Sequence, residues 1–90
     1  MAVYVDQMQA AYGRMLMCHM LADTDDELHQ MASKIGVNRK WHQKPGTPQS
    51  HYDICKAKRA AAIANGAIEV TRRQVGELLK SKRNAHPSPR

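Results

Sequence analysis

Phenylalanine is absent from these 90 residues, and other aromatics are scarce: one Trp (Trp41) and three Tyr (Tyr4, Tyr12, Tyr52). Six Met take up part of the packing instead, a softer and less specifying filler. A chain of this length builds one domain with a modest core, which leaves room for a homodimer to add to it. Cysteine is nearly absent as well. Cys18 and Cys55 make neither a disulfide framework nor a C-x-x-C pair for structural zinc, so reduced thiols and a cytoplasmic setting are expected. No apolar run approaches the roughly 18 residues that cross a bilayer. The start, Met1 to Asp6, lacks the segments of a secretion signal, so no membrane partner is expected. P-loop, G-x-G-x-x-G and serine-nucleophile motifs are missing too, which removes nucleotide folds assigned by motif.

What is present is charge, unevenly placed. The net charge is +6, with one base and five acids in residues 1–33 (−4) and thirteen bases and three acids in residues 34–90 (+10). Such asymmetry suits an anionic partner at the C-terminal half, and equally describes solvated helix faces.

The chain is organised around Met17 to Gly36. Met15–Leu21 alternates Leu16, Cys18, Met20 with Met17, His19, Leu21, both sets largely apolar, the pattern of a central strand covered on both faces. Thr24 and Glu27 spell a capping box, and Asp25 and Asp26 suit the first turn of a helix. Leu28, Met31, Ala32 and Ile35 then recur at helical spacing, and Gly36 closes the helix. Ala2–Val5 predicts a first strand, with residues 6–14 a loop and the strand's direction open. Val37–Gln43 predicts a third strand with Val37, Arg39 and Trp41 on one side. Lys44–Ser50 reads as a loop. A second helix is expected over Ile54–Asn65, N-capped by Asp53, with Ile54, Ala57, Ala61 and Ala64 inward. Ala67–Val70 is a short strand. Thr71 and Gln74 open a third helix to about Lys82, with Val75, Leu78 and Leu79 inward. The expectation is a small single-domain α/β layer structure over residues 1–83, a short, mostly parallel sheet with about three helices. Residues 84–90 make a flexible basic tail.

In open α/β sheets ligands sit beyond the carboxyl ends of strands, which draws attention to the polar residues there. His19 is an imidazole in an apolar strand, to be read as a satisfied core histidine or as part of a cleft lined also by His29. His42 reads as a surface residue beside Trp41. His51-Tyr52-Asp53 falls at the expected helix N-terminus, where free amides receive anions such as phosphate. Asp53 is then a cap, His51 an acid, base or phosphate contact, and Tyr52 a donor. Asp25, Asp26 and Glu27 are explained by the helix dipole, leaving Asp23 to orient a histidine. Asp6 joins this edge if the first strand is parallel. A divalent metal fits these ligand types, although no H-x-x-x-H or H-E-x-x-H spacing supports one.

Val3-Tyr4-Val5-Asp6, Cys18 through Thr24, Glu27-Leu28-His29, Ile35-Gly36, His51 through Ile54 and Gly66-Ala67 form an ordered set. It resembles the short phage and bacterial proteins grouped as domain-of-unknown-function family 4031, over about residues 2–80. The resemblance implies frequent phage or prophage association and brings no established activity. The leading expectation is a protein that binds, and in its fuller form hydrolyses, a phosphate-bearing ligand such as a nucleotide or nucleic acid. His51, Asp23 and His19 carry the chemistry; His29, Tyr52, Asp53 and Asp6 hold the ligand. The alternative is a non-enzymatic accessory module. It would bind nucleic acid or an acidic host protein through its basic half, with Arg72, Arg73, Lys80 and Lys82 on the third helix in contact.

Overall fold

The computed structural model describes residues 2–7, 10–12 and 15–85. Their strands are β1 (Val3–Val5), β2 (Ala10–Tyr12), β3 (Met15–Ala22), β4 (Tyr52–Cys55) and β5 (Ile68–Glu69). The helices are α1 (Asp25–Ile35), α2 (Lys56–Ala64) and α3 (Arg72–Ala85), with a 3-10 turn at Arg39–Trp41. The fold is α/β as expected, but the sheet is mixed and mostly antiparallel. β1, β2 and β4 all run antiparallel to β3, and only β1 with β5 is parallel. The reason is connectivity. β1, β2 and β3 form one hairpin, which needs no crossover, and the chain after α1 returns to the end of β3 it left before entering β4.

β3 is central, with β4 on one side and β1 and β2 in line on the other. Its alternation separates two sheet faces as the sequence predicts, but they are not both covered, and Leu16, expected beside Cys18 and Met20, is exposed. Cys18, Met20 and Ala22, with Val3, Val5, Tyr52 and Ile54, face α1 and α2 and form the core with Leu28, Met31, Ala32, Ile35 and Ala62. Burial pushes the Cys18 thiol up to about 12, with Asp6 adding to the effect. The opposite face carries Met17, His19, Leu21, Asp53 and Cys55 and is only partly covered, by half-buried Val75 and Leu79 of α3. His19 therefore keeps a 41% exposed side chain rather than sitting in a core.

Helix ends follow local chemistry closely. Thr24 Oγ1 accepts from the Glu27 amide, and Thr71 and Gln74 complete a reciprocal box at the start of α3. Gly36 (φ 78°) ends α1 by donating to Ala32 and Ser33. α3 continues through Ala85, so the expected tail loses residues 84 and 85 to the helix; residues 86–90 lie outside the described part.

Two expectations fail between these ends. Val37–Gln43 is not a strand: it makes the 3-10 turn, and only Gln43 pairs, in an isolated bridge with His51. Tyr52–Cys55 is a strand rather than the entry to a helix. α2 starts at Lys56, and Cys55 stands at its N-cap with no side-chain cap bond. Asp53 thus caps nothing, and Ile54 packs from the sheet. On α2 the buried residue is Ala62, while Ala57 and Ala64 are exposed. No described helix is long and apolar enough to cross a membrane.

Candidate metal centre

The site begins with a break in the hairpin. Pairing stops at Val5↔Met20 and resumes at Ala10↔Met17, five steps on one arm against three on β3. The β1–β3 register, carried one residue past Val5↔Met20, sets Asp6 opposite His19 at this break. The Asp6 amide donates to the His19 carbonyl at 3.1 Å, and Asp6 Oδ1 accepts from the His19 amide at 2.6 Å. Asp6 Oδ2 lies 2.7 Å from His19 Nδ1. Asp6 is 1% exposed, and its carbonyl accepts from Arg59 Nε on α2. The expected condition for Asp6, a parallel first strand, proves unnecessary, because the antiparallel register of β1 with β3 brings it to His19.

Across the sheet, His19 pairs with Asp53 on β4, so both side chains rise from one face. His51, two residues before Asp53, rises from that face as well. His19 Nε2 lies 3.8 Å from Asp53 Oδ1, and His51 Nε2 lies 3.5 Å from the same oxygen. The His19 and His51 rings meet edge to face at 5.2 Å. Asp53 Oδ2 accepts from Gln43 Nε2 at 2.7 Å.

Hydrogen-bond chemistry assigns the tautomers. An ionised carboxylate only accepts, so His19 Nδ1 carries the proton toward Asp6. A carbonyl only accepts too, so His51 Nδ1, 2.6 Å from the Gln49 oxygen, is also a donor. Each neutral ring is left with its Nε2 lone pair in the cluster. The ligand atoms of His19, His51 and Asp53 all lie within 4.8 Å of one another. Bonds of about 2.0–2.1 Å at tetrahedral angles place ligand atoms about 3.3 Å apart, close to the 3.8 and 3.5 Å that separate the histidine nitrogens from Asp53 Oδ1. The Asp6 hydrogen bond raises His19 above the usual imidazole value against the opposing pull of burial. Asp53 adds to the rise and Arg72 works against it, which puts that guanidinium within electrostatic reach of the ring. A cavity of about 150 Å³ between His19, His51 and the α3 residues Val75 and Leu79 adjoins the cluster.

The other predicted site residues lie elsewhere. Asp23 stands at the same end of the sheet, but its carboxylate bonds the Ala2 amide at 2.8 Å and Tyr4 Oη at 3.0 Å. His29 does not line this cleft. Its Nδ1 meets Tyr52 Oη at 2.8 Å on the core side of β4, and Tyr52, fully buried, is no ligand contact. His42 is no surface residue: its Nε2 lies 2.6 Å from Ser50 Oγ, and its ring stacks on Tyr52 at 5.3 Å. On α3, Arg73 and Lys80 are exposed. Lys82 is half-buried, its pKa lowered by burial against the pull of Asp25 and Asp23. Sequence reasoning missed Gln43, Gln49 and Arg59, whose roles arise only from contacts distant in the chain.

A small α/β protein with two imidazoles and a carboxylate converging on one sheet face is the class these observations define. Residues 3–82 match the family described as protein of unknown function, DUF4031, and the chain belongs to that family. No curated protein and no solved structure matches it.

Proposed function

We propose that this protein binds a divalent transition-metal ion through His19 Nε2, His51 Nε2 and Asp53, and uses it to hold and hydrolyse a phosphate-bearing ligand. The observation that carries this reading is the orientation of both histidines. Each has its Nδ1 tied to a fixed acceptor and its Nε2 turned toward one carboxylate oxygen. A carboxylate or carbonyl behind a ligating histidine is the usual support of a metal site. A two-histidine, one-carboxylate set suits zinc or iron(II) and leaves a coordination position for water.

An ion held by His19, His51 and Asp53 would supply Lewis acidity toward a phosphoryl oxygen and a water. Hydrolysis adds hydroxide to phosphorus and returns the proton to the leaving oxygen. Arg72, within electrostatic reach of His19, supplies positive charge for the remaining phosphate oxygens. This reading replaces the phosphate site at a helix N-terminus, since His51 and Asp53 belong to β4 and its approach. The reading of α3 as a nucleic-acid strip draws less support, because Lys82 is half-buried with Asp25 and Asp23 acting on it.

The test is calorimetric titration of the metal-free chain with Zn²⁺ and Co²⁺. One ion per chain is expected, and His51→Ala should weaken binding at least about 100-fold while the protein stays folded. Equal affinity for wild type and His51→Ala would overturn the proposal.

A further inference from the structure

Beside the cluster, a groove of about 640 Å³ runs between the exposed side of β4 and the 36–43 segment. Its walls are Met17, Val37, Trp41 and Cys55, and Asp53 and Gln43 lie where it meets the cluster. Trp41 is 60% exposed, an unusual place for the chain's one tryptophan. Lys40 Nζ sits 5.2 Å from its ring centroid, within cation–π range. The volume falls within the range of small-molecule sites.

We infer that this groove takes the base of a mononucleotide, laid against Trp41, while its phosphate sits at the His19–His51–Asp53 cluster. The inference rests on the phosphate reading above and adds the class of ligand. The groove opens onto Asp53 and Gln43, so one molecule reaches both places. Its lining suits a flat, polarisable ring: an indole for stacking, and the sulfur atoms of Met17 and Cys55, which make favourable contacts with aromatic edges. A purely aliphatic occupant would leave two side-chain amides unused. Asn38 spends its Oδ1 on the Lys40 amide, which leaves its N–H donors for a base edge. Gln43 spends its Nε2 on Asp53, which leaves its carbonyl oxygen as an acceptor.

Because Trp41 is the chain's one tryptophan, its fluorescence reports the groove directly. The experiment titrates the zinc-loaded full chain with adenosine 5′-monophosphate and, separately, with ribose 5-phosphate. Adenosine monophosphate should quench Trp41 and bind at least about tenfold more tightly. It should also slow the alkylation of Cys55, which ribose 5-phosphate should leave unchanged. Trp41→Ala, which has no tryptophan to report and is therefore titrated by calorimetry, should remove the tenfold preference and spare both zinc affinity and ribose 5-phosphate affinity. Equal binding of the two ligands by wild type, or an undiminished preference in Trp41→Ala, overturns the inference and leaves the phosphate reading standing. Failure of both ligands to bind overturns the phosphate reading and this inference with it.

Discussion

Two histidine clusters flank β4, one on each face, and they are built on opposite principles. On the exposed face His19 and His51 have their Nδ1 atoms anchored and their Nε2 atoms directed at Asp53. On the core side His29, His42, Tyr52, Ser50 and Asp25 use their polar atoms on one another. Ser50 is 1% exposed, bonds Asp25, and meets His42 Nε2 at 2.6 Å. Since the Asp25 carboxylate only accepts, the Ser50 hydroxyl donates to it and His42 Nε2–H donates to Ser50. Burial alone would raise Asp25, but the Ser50 and Gly46 hydrogen bonds, with His42 and His29 nearby, bring it below the usual carboxylate value. The phenol of Tyr52 is pushed upward, first by burial, and stays protonated against His29. Residue type alone would make the second cluster the better catalytic candidate, with serine, histidine and aspartate together. Its serine is sealed from solvent, and a buried, satisfied hydroxyl fixes structure rather than meeting a ligand.

The largest effect that separates them is on stability. Ser50→Ala leaves His42 Nε2 and Asp25 without their shared partner and should cost about 1–3 kcal/mol in urea denaturation. His51→Ala, on the open face, should stay within about 0.5 kcal/mol while losing metal binding. Reversed magnitudes would mean that the roles of the two clusters have been exchanged.

A smaller, directional effect appears with pH. His42 has its pKa lowered, first by burial and then by His29, with Arg39 and His51 in the same sense and Asp25 opposing. A histidine whose folded value lies below its unfolded one binds protons more readily when unfolded. Its stabilisation is therefore present above about pH 6.5 and is lost as pH falls through the unfolded value toward the folded one. His42→Gln should flatten the decline in thermal midpoint between pH 7 and pH 5. His19, raised by Asp6, titrates in the other sense, so the comparison is between wild type and variant rather than within one curve. Parallel curves would remove His42 from the account.

The smallest effect leaves stability untouched. Cys18 lies in the core with its thiol held up at about 12, and Cys55 is half-buried on the groove face. Alkylation at pH 8 should modify Cys55 and spare Cys18 in the folded protein, as peptide mapping would read out. Rapid modification of both would place Cys18 outside the core.

Much of this was legible locally. The two faces of β3, both capping boxes, the glycine that ends α1 and the inward stripe Leu28, Met31, Ala32, Ile35 all depend on residues within one or two turns of each other. Side-chain periodicity and cap chemistry determine such features before any tertiary contact forms. The sequence also singled out His19, His51, Asp53 and Asp6, although it attached Asp23, His29 and Tyr52 to the same cleft. Tertiary structure decided what these residues do. Tyr52–Cys55 is too short for periodicity to divide between strand and helix, and pairing with β3 made it a strand. That register then placed Asp53 opposite His19 and turned Tyr52 to the core, because a one-residue slip exchanges every side chain between faces. The antiparallel register of β1 with β3 set Asp6 beside His19. These are long-range pairings, set by which strands bury which faces together, and no local stretch of the chain contains them.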